Sequence, residues 1–280
     1  MTTPHNPDDF CYRHPDRRSY VLCQRCTRTV CPECQTQAAV GVICPECMKA
    51  QRQATPPRVR RAQKAVRALD SRPVVTYWMM LITAVVFITA YIPGSPVGGW
   101  LMFNSAFIDS GSGAPFEPWR MLTSVFTHLA FWHVGLNILA IWMIGRSLEP
   151  MLGHGRFRAL YLLSGFGGSV GVALIAPGVS VVGASGAVFG LLGALLVVGR
   201  HLGANVTGIL IILGINLVIG FIPGFTVAWQ AHVGGLATGA LIGWIFARTR
   251  RADQRPLQIG LLVATGVLLL ALTVLATFIY

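Results

Sequence analysis

The chain has 280 residues, of which 54% are hydrophobic and only 11% are charged. A water-soluble domain carries about 25% charged residues, so this composition predicts a protein that mostly faces lipid. The net charge of +12 raises the question of nucleic-acid binding. The positions of the basic residues argue against it, because they cluster before residue 73 and then recur only in certain connections between apolar runs. That pattern is typical of membrane topology and of contact with a phospholipid surface.

The N-terminal region, residues 1–50, is polar and cysteine-rich, and residues 1–10 lack the apolar stretch of a secretory signal. It is therefore expected in the cytosol, where thiols stay reduced. All seven cysteines of the chain lie here and, with one histidine, they form four closely spaced pairs. The pairs are Cys11 and His14, Cys23 and Cys26, Cys31 and Cys34, and Cys44 and Cys47. Eight such ligands suit two structural, four-coordinate Zn²⁺ ions and leave no open position for catalysis. His5 has no place in the pattern.

This spacing resembles a B-box-type zinc finger. The resemblance implies cross-brace pairing, in which the first and third pairs share one ion and the second and fourth pairs share the other. Sequential pairing remains open. A segment this short has little core without metal, so zinc is expected to fold it. Whether the domain also binds a cytosolic protein partner, or only folds and tethers, is open as well.

Residues 51–72 are predicted to form a basic linker that helps to fix orientation. Apolar runs of transmembrane length follow from Val74 onward. They cover residues 74–92, 119–145, 156–176, 183–200, 205–222, 227–247 and 257–279. The connections between them alternate between having and lacking Lys or Arg, which predicts seven helices with a cytosolic N-terminus and an external C-terminus.

Five polar residues fall within or beside these runs, where such residues are costly and suggest function: His128, His133, Asn137, Ser185 and His232. Singly, each is better explained as a hydrogen-bonding partner of a neighbouring helix. Under the predicted topology, however, the last four lie at the outer ends of three helices, at one depth. A hydroxyl, an imidazole and further hydrogen-bond donors are therefore expected to meet just below the outer surface.

The surrounding glycines strengthen this expectation. Gly183 and Gly186 flank the serine, so that the backbone can turn tightly and leave the Ser185 N–H free to bind an anion. Gly186 and Gly190 form one small-residue face, and Gly235 and Gly239 form another. Two such faces can pack closely enough for His232 to reach the serine hydroxyl. His133 and Asn137 are four residues apart, hence on one helical face, where both could donate to an oxyanion.

Together these motifs resemble the rhomboid family of intramembrane serine proteases. The matching pieces, in the family's order over residues 74–247, are Glu117-Pro118-Trp119-Arg120, His133-x-x-x-Asn137, Gly183-x-Ser185-Gly186 and Ala231-His232-x-x-Gly235-x-x-x-Gly239.

The resemblance implies a catalytic dyad of Ser185 and His232 without a carboxylate. It implies an oxyanion hole formed by the Ser185 N–H with His133 and Asn137, and a structural or water-holding role for His128 inside the second helix. Trp119 and Arg120 would anchor the long first loop, and Glu149 matches an acidic residue buried near the inner end.

The implied architecture is an all-α polytopic membrane protein with a six-helix core at residues 73–247 and one extra transmembrane helix at residues 256–280. The chain departs from the family at Phe189, where bacterial relatives often have a tyrosine packed on the histidine. Loop 220–228 would be a movable lid beside the fifth helix.

The implied activity is cleavage of transmembrane segments of single-pass or polytopic membrane proteins near the outer face of a bacterial inner membrane, with no cofactor for catalysis. The main alternative is a catalytically silent relative that binds membrane clients, although such relatives normally lack the serine or the histidine. A transporter or channel is a second alternative, but it would place ionisable residues near mid-membrane.

Overall fold

The computed structural model describes residues 7–38, 41–54, 72–219 and 227–279. The chain divides into two compact units, Met1–Leu69 and Asp70–Tyr280, which are considered separately. Most of the predicted basic linker, residues 55–71, lies outside the described residues. Residues 51–54, predicted as its beginning, belong to a helix.

The first unit is a small domain built from two short antiparallel hairpins and one helix. Strands β1 (Phe10–Cys11) and β2 (His14–Arg18) pair with each other, as do β3 (Thr36–Gln37) and β4 (Val42–Ile43). Helix α1 (Pro45–Ala54) follows. Cysteines supply five of the seven side chains in the buried hydrophobic cluster, and the other two are Val30 and Val42. Such a core is too small to hold the domain together by hydrophobic burial alone.

The surface ion pairs of this domain do not supply the stability that its small core lacks. Arg17 lies 2.5 Å from Glu33, and its hydrogen bond and charge lower the pKa of that carboxyl. Both side chains are largely exposed, however, and exposed pairs contribute little to stability.

The second unit is built from helices joined by loops, and among its described residues one isolated β-bridge, between Phe103 and Val181, is the other regular feature. Its helices are α2 (Val74–Tyr91), α3 (Val97–Leu101), α4 (Arg120–Thr123), α5 (Phe131–Leu152), α6 (His154–Ile175), α7 (Ser185–His201), α8 (Thr207–Ile219), α9 (Trp229–Arg248) and α10 (Arg255–Ile279). The seven longest occupy the positions of the seven predicted apolar runs. By length and composition, α2, α6 and α10 can each cross a membrane, and α4 with α5 forms a bent fourth candidate.

The second predicted run was wrong at its start. Residues 119–145 were expected to form one helix, but α4 and a 3₁₀ turn (Ser124–Phe126) end before a break, and α5 begins only at Phe131. The two parts meet at 92°. His128, predicted inside this helix, lies in the break itself.

Helices α7 and α9 pack together through their glycines, with α6 against both. A Cβ atom added to Gly235 would collide with the Gly186 carbonyl oxygen, and one added to Gly239 would collide with that of Gly190. These are the two small-residue faces predicted from the sequence. Backbone contact of this kind is how helices associate in lipid, where burial of apolar surface gives no advantage.

The long first loop between α3 and α4 is held by Arg120. Its guanidinium is buried, pairs with Glu117, donates to the carbonyl oxygens of Gly99 and Met102, and lies 3.9 Å from the centre of the Phe107 ring. The neighbouring Trp119 is 54% exposed. The buried arginine is therefore the part of the predicted anchor that makes the contacts.

Glu149, near the end of α5, caps the beginning of α2. Its fully buried carboxylate accepts hydrogen bonds from the backbone N–H groups of Val75 at 2.8 Å and Thr76 at 2.7 Å, and from the Thr76 hydroxyl at 2.6 Å. His154 Nδ1 lies 2.6 Å from Oε1, the same carboxylate oxygen that accepts the Val75 N–H. A carboxylate at a helix N-terminus is favourable, and here it also satisfies the N–H and hydroxyl donors of the buried Thr76.

We expect Glu149→Ala to destabilise the helical unit by about 3 kcal/mol, because it leaves buried donors without an acceptor. Thermal unfolding in detergent, followed by tryptophan fluorescence, measures the effect. Asp109→Ala, at a carboxylate whose described contacts lie within its own loop, is the control and should change the midpoint little. Equal midpoints for Glu149→Ala and wild type would contradict the capping role.

Candidate functional site

Ser185 is the first residue of α7, and its preceding segment holds it in place. The first N–H groups of a helix have no partner within the helix and carry positive partial charge, so they favour an anion. Two residues earlier, Gly183 has φ +118°, a conformation that side chains other than glycine rarely adopt. A Cβ atom there would also lie 2.7 Å from the His133 ring. The predicted need for glycine at this position therefore has both a backbone and a packing cause.

His128 supports the same segment from the break before α5. Its side chain is buried, its Nε2 accepts the Ala184 N–H at 3.2 Å, and its Nδ1 lies 3.4 Å from the Phe126 carbonyl oxygen. The structural role expected for His128 thus has a specific form, although its predicted location inside a helix was wrong. The contact joins residues 56 positions apart, which local sequence patterns do not reveal.

His232, in the first turn of α9, is buried and stacks on Phe189 of α7. The two ring centres are 4.0 Å apart and the planes differ by 11°. Because Phe189 follows Ser185 by one helical turn, this stacking puts the imidazole beside the turn that carries the serine. His232 Nδ1 has no hydrogen-bond partner among the described residues, so the phenylalanine ring, rather than a carboxylate, sets the orientation of the imidazole.

The Ser185 hydroxyl and the His232 ring are not hydrogen-bonded to each other in this arrangement of the described residues. Such bonds are often long or misaligned in unliganded enzymes and shorten when substrate binds. The two residues nevertheless share one end of the α7–α9 contact, where a Cβ atom added to Gly186 would lie only 3.3 Å from the Ala231 carbonyl oxygen.

His133 and Asn137 approach the same end from α5. The His133 ring contacts Gly183 and meets the His128 ring edge-on, with centres 4.8 Å apart. Asn137 is buried and donates one amide N–H to the His133 carbonyl oxygen at 3.0 Å. The imidazole therefore lies next to the serine segment, and the amide lies one turn along the same helix.

Helix α6 makes a contribution to the site that was not predicted from the sequence. Gly168 lies against both Ala231 and Gly186, and Gly171 lies against Gly234. These glycines let α6 support the two helices that carry Ser185 and His232. Their clustering in the sequence, at positions 165, 167, 168 and 171, was the available signal. The predicted lid, loop 220–228, lies largely outside the described residues.

In the cysteine-rich domain the eight predicted ligands form two groups. Cys11, His14, Cys31 and Cys34 make up one, and Cys23, Cys26, Cys44 and Cys47 make up the other, with the ligand atoms of each group within 4.8 Å of one another. This is the cross-brace arrangement, not the sequential one.

The donor distances fit a tetrahedral metal ion. His14 Nδ1 lies 3.8 Å, 3.3 Å and 3.4 Å from the sulfurs of Cys11, Cys31 and Cys34, and the sulfurs of Cys26 and Cys44 are 3.6 Å apart. Ligands about 2.3 Å from a central ion are separated by about 3.7 Å. Each group can therefore hold one metal ion.

Comparisons with known proteins agree with the geometry of the helical unit. A family model described as "Rhomboid domain" matches residues 115–249. "Rhomboid protease GluP" of Bacillus subtilis is 32% identical over 223 residues, covering 77% of this chain and 42% of that protein. "RHOMBOID-like protein 1" of Arabidopsis thaliana is 39% identical over 138 residues, covering 46% of this chain and 35% of that protein. "Rhomboid protein 1, mitochondrial" of Saccharomyces cerevisiae is 32% identical, covering 49% of this chain and 45% of that protein. The chain thus spans less than half the length of these relatives.

Proposed function

Since the chain belongs to the rhomboid family through the domain at residues 115–249, we propose that it is an intramembrane serine endopeptidase with Ser185 as nucleophile and His232 as general base. The observation that carries the proposal is the stacking of His232 on Phe189, 4.0 Å apart, one turn from Ser185. This stacking supports His232 as the base for a serine hydroxyl at the N-terminus of a helix.

In the proposed reaction, His232 removes the proton of the Ser185 hydroxyl as the serine oxygen attacks a peptide carbonyl carbon of the substrate. The imidazolium then gives this proton to the leaving amine, which produces an acyl-enzyme. Water, deprotonated by the same imidazole, releases the second product. Phe189 holds the ring in position through both steps.

The negative charge on the carbonyl oxygen develops next to three donors in this proposal: the Ser185 N–H, the His133 ring and the Asn137 amide. Donors fixed before the reaction are worth about 10²–10³-fold each, because they need no reorganisation as the charge forms. The contacts of His133 with Gly183 and of Asn137 with its own helix fix both side chains in this way.

We further propose that substrates are membrane proteins cut near the outer face of a bacterial inner membrane. The absence of Lys and Arg from residues 93–118, which precede α4, and their presence at residues 146, 156 and 158, near the junction of α5 and α6, support this orientation. A substrate helix must unwind locally to expose a carbonyl, so helix-breaking residues near the cleavage point should favour cleavage.

Purified protein in liposomes, mixed with a generic transmembrane substrate, tests the proposal. Cleavage at one or a few bonds near the membrane surface is the expected result. A wild-type protein that binds the substrate without cleaving it would contradict the protease function and favour the client-binding alternative.

For the first unit we propose two structural Zn²⁺ ions, one in each four-ligand group. Thiolate and imidazole ligands suit zinc, and backbone N–H groups already point at the sulfurs: Cys44 N–H to Cys23 at 3.2 Å and Cys47 N–H to Cys44 at 3.4 Å. When bound, zinc supplies the cross-links that a core of cysteines otherwise lacks. Docking of a cytosolic protein partner on this domain is a further part of the proposal.

We expect elemental analysis of the full chain to give about two zinc ions per molecule, and Cys31→Ser to lose at least one. Chelation should make the domain sensitive to trypsin, since metal binding drives its folding. His5→Ala is the control, because the ligand pattern leaves His5 out, and it should keep both ions. Full protease resistance after complete zinc removal would contradict the structural role.

A further inference from the structure

The end of the helical unit opposite Ser185 contains a basic cleft of about 170 Å³. It lies between the C-terminal ends of α5, α7 and α9 and the beginning of α6. Because α7 runs over 17 residues from Ser185 to His201, and His201 lines the cleft, about 25 Å separates the cleft from the serine. The cleft is therefore a separate site from the one proposed for proteolysis.

Within the described part of the chain, no acidic side chain neutralises the positive charge of this cleft. Arg156, His201 and Arg250 line it, and no acidic residue does. Neither arginine forms an ion pair with the acidic residues in the described part of the chain. Two guanidinium groups in one cleft repel each other unless an anion lies between them, so the charge pattern indicates an anionic ligand.

Arg156 is held in position by the extra helix. Its Nε donates to the Gln258 side-chain oxygen at 2.7 Å, and the Gln258 amide donates to the Thr249 carbonyl oxygen at 2.9 Å and to its hydroxyl at 2.7 Å. Gln258 is only 3% exposed. This chain of hydrogen bonds fixes the guanidinium by its Nε and leaves the two terminal nitrogens for a ligand, a geometry suited to paired phosphate oxygens.

The rest of the cleft wall is apolar. Leu152, Leu202 and Phe246 line it beside the basic groups. A small soluble anion would gain nothing from these side chains, whereas the glycerol and upper acyl carbons of a lipid would cover them. Basic clefts between helix ends at a membrane surface suit anionic lipid headgroups.

We propose that this cleft binds the headgroup phosphate of an anionic phospholipid of the phosphatidylglycerol class, with Arg156 and Arg250 as the phosphate ligands. Gln258 positions Arg156, which gives α10, the helix beyond the six-helix core, a role in lipid binding.

Native mass spectrometry of the delipidated full chain tests the proposal with phosphatidylglycerol and phosphatidylcholine of identical acyl chains. Wild type should bind phosphatidylglycerol about tenfold more tightly. Both headgroups carry a phosphate, but choline also brings a positively charged ammonium next to the two arginines, whereas the glycerol of phosphatidylglycerol is neutral. The double variant Arg156→Gln/Arg250→Gln should lose this preference. Arg158→Gln should keep it, because Arg158 is exposed on α6 and does not line the cleft.

Equal affinity of wild type for the two lipids would overturn the proposal, as would an equal loss in Arg158→Gln. Displacement of bound phosphatidylglycerol by millimolar inorganic phosphate would also overturn it, since the site would then be one for a free anion. If the double variant fails to fold, Arg250→Gln alone can be used, because the Arg250 side chain is exposed. It should weaken the preference for phosphatidylglycerol, and an unchanged preference would contradict the proposal.

Discussion

Ser185→Ala and His232→Ala should each reduce cleavage of a transmembrane substrate in liposomes by at least about 10⁴-fold. Either change removes a group that the proposed acylation step requires, so the double variant should be no slower than the slower single variant. Initial rates from quantified product bands measure the effect. Neither change removes a hydrogen bond of the described protein. Because His232→Ala also removes the ring stacked on Phe189, its rate is compared only after thermal unfolding has shown that the variant is folded.

Ser147→Ala is the matched control, since Ser147 is an exposed serine on α5, and it should cleave at the wild-type rate. Additive losses in the double variant would indicate that the two residues act independently and would contradict a dyad. Wild-type cleavage by Ser185→Ala would place the nucleophile elsewhere.

Gly239→Ala should cause the second large effect, by separating α7 from α9. The added methyl group would collide with the backbone of Gly190, and a backbone cannot rotate away as a side chain can. We expect a loss of about 3 kcal/mol in stability, within the range of severe overpacking. Activity should fall with it, since the same helix contact positions His232 beside Ser185.

Gly260→Ala provides the comparison, because a Cβ atom at Gly260 meets nothing within 4 Å. This variant should unfold within a few degrees of wild type. Thermal unfolding and size-exclusion chromatography in detergent measure both proteins. A Gly239→Ala protein with wild-type stability and activity would show that the close glycine contact is not needed.

Much of the helical unit could be predicted because helices in lipid need long apolar runs, and small residues where they pack against one another. Apolar runs of sufficient length marked α2 and α6–α10, and the spacing of small residues marked the α7–α9 contact. The break before α5 could not be predicted this way. Residues 119–130 continue the apolar character of the following helix, and what ends α4 is a set of tertiary contacts: Arg120 with the first loop and His128 with Ala184.

For the candidate site, the sequence predicted which residues come together better than how they contact one another, and their catalytic roles stay a prediction. The predicted topology put Ser185, His133 and His232 at the same depth in the membrane. Phe189 was expected to pack beside the histidine. The α6 glycines and the hydrogen bond from Ala184 to His128 join distant parts of the chain, so no local pattern could show them. Metal-ligand spacing likewise predicted the eight candidate ligands but left their grouping open. The cross-brace grouping that the structure shows was implied by the resemblance to a B-box-type zinc finger, and it brings Cys31 to His14.

Covalent labelling with a serine-reactive fluorophosphonate tests the central proposal most directly, because it needs no knowledge of the natural substrate. Wild type in detergent should gain one probe mass per chain, located by peptide mapping at Ser185, and His232→Ala should label far more slowly. No adduct on well-folded wild type, or an adduct that persists in Ser185→Ala, would contradict Ser185 as the activated nucleophile.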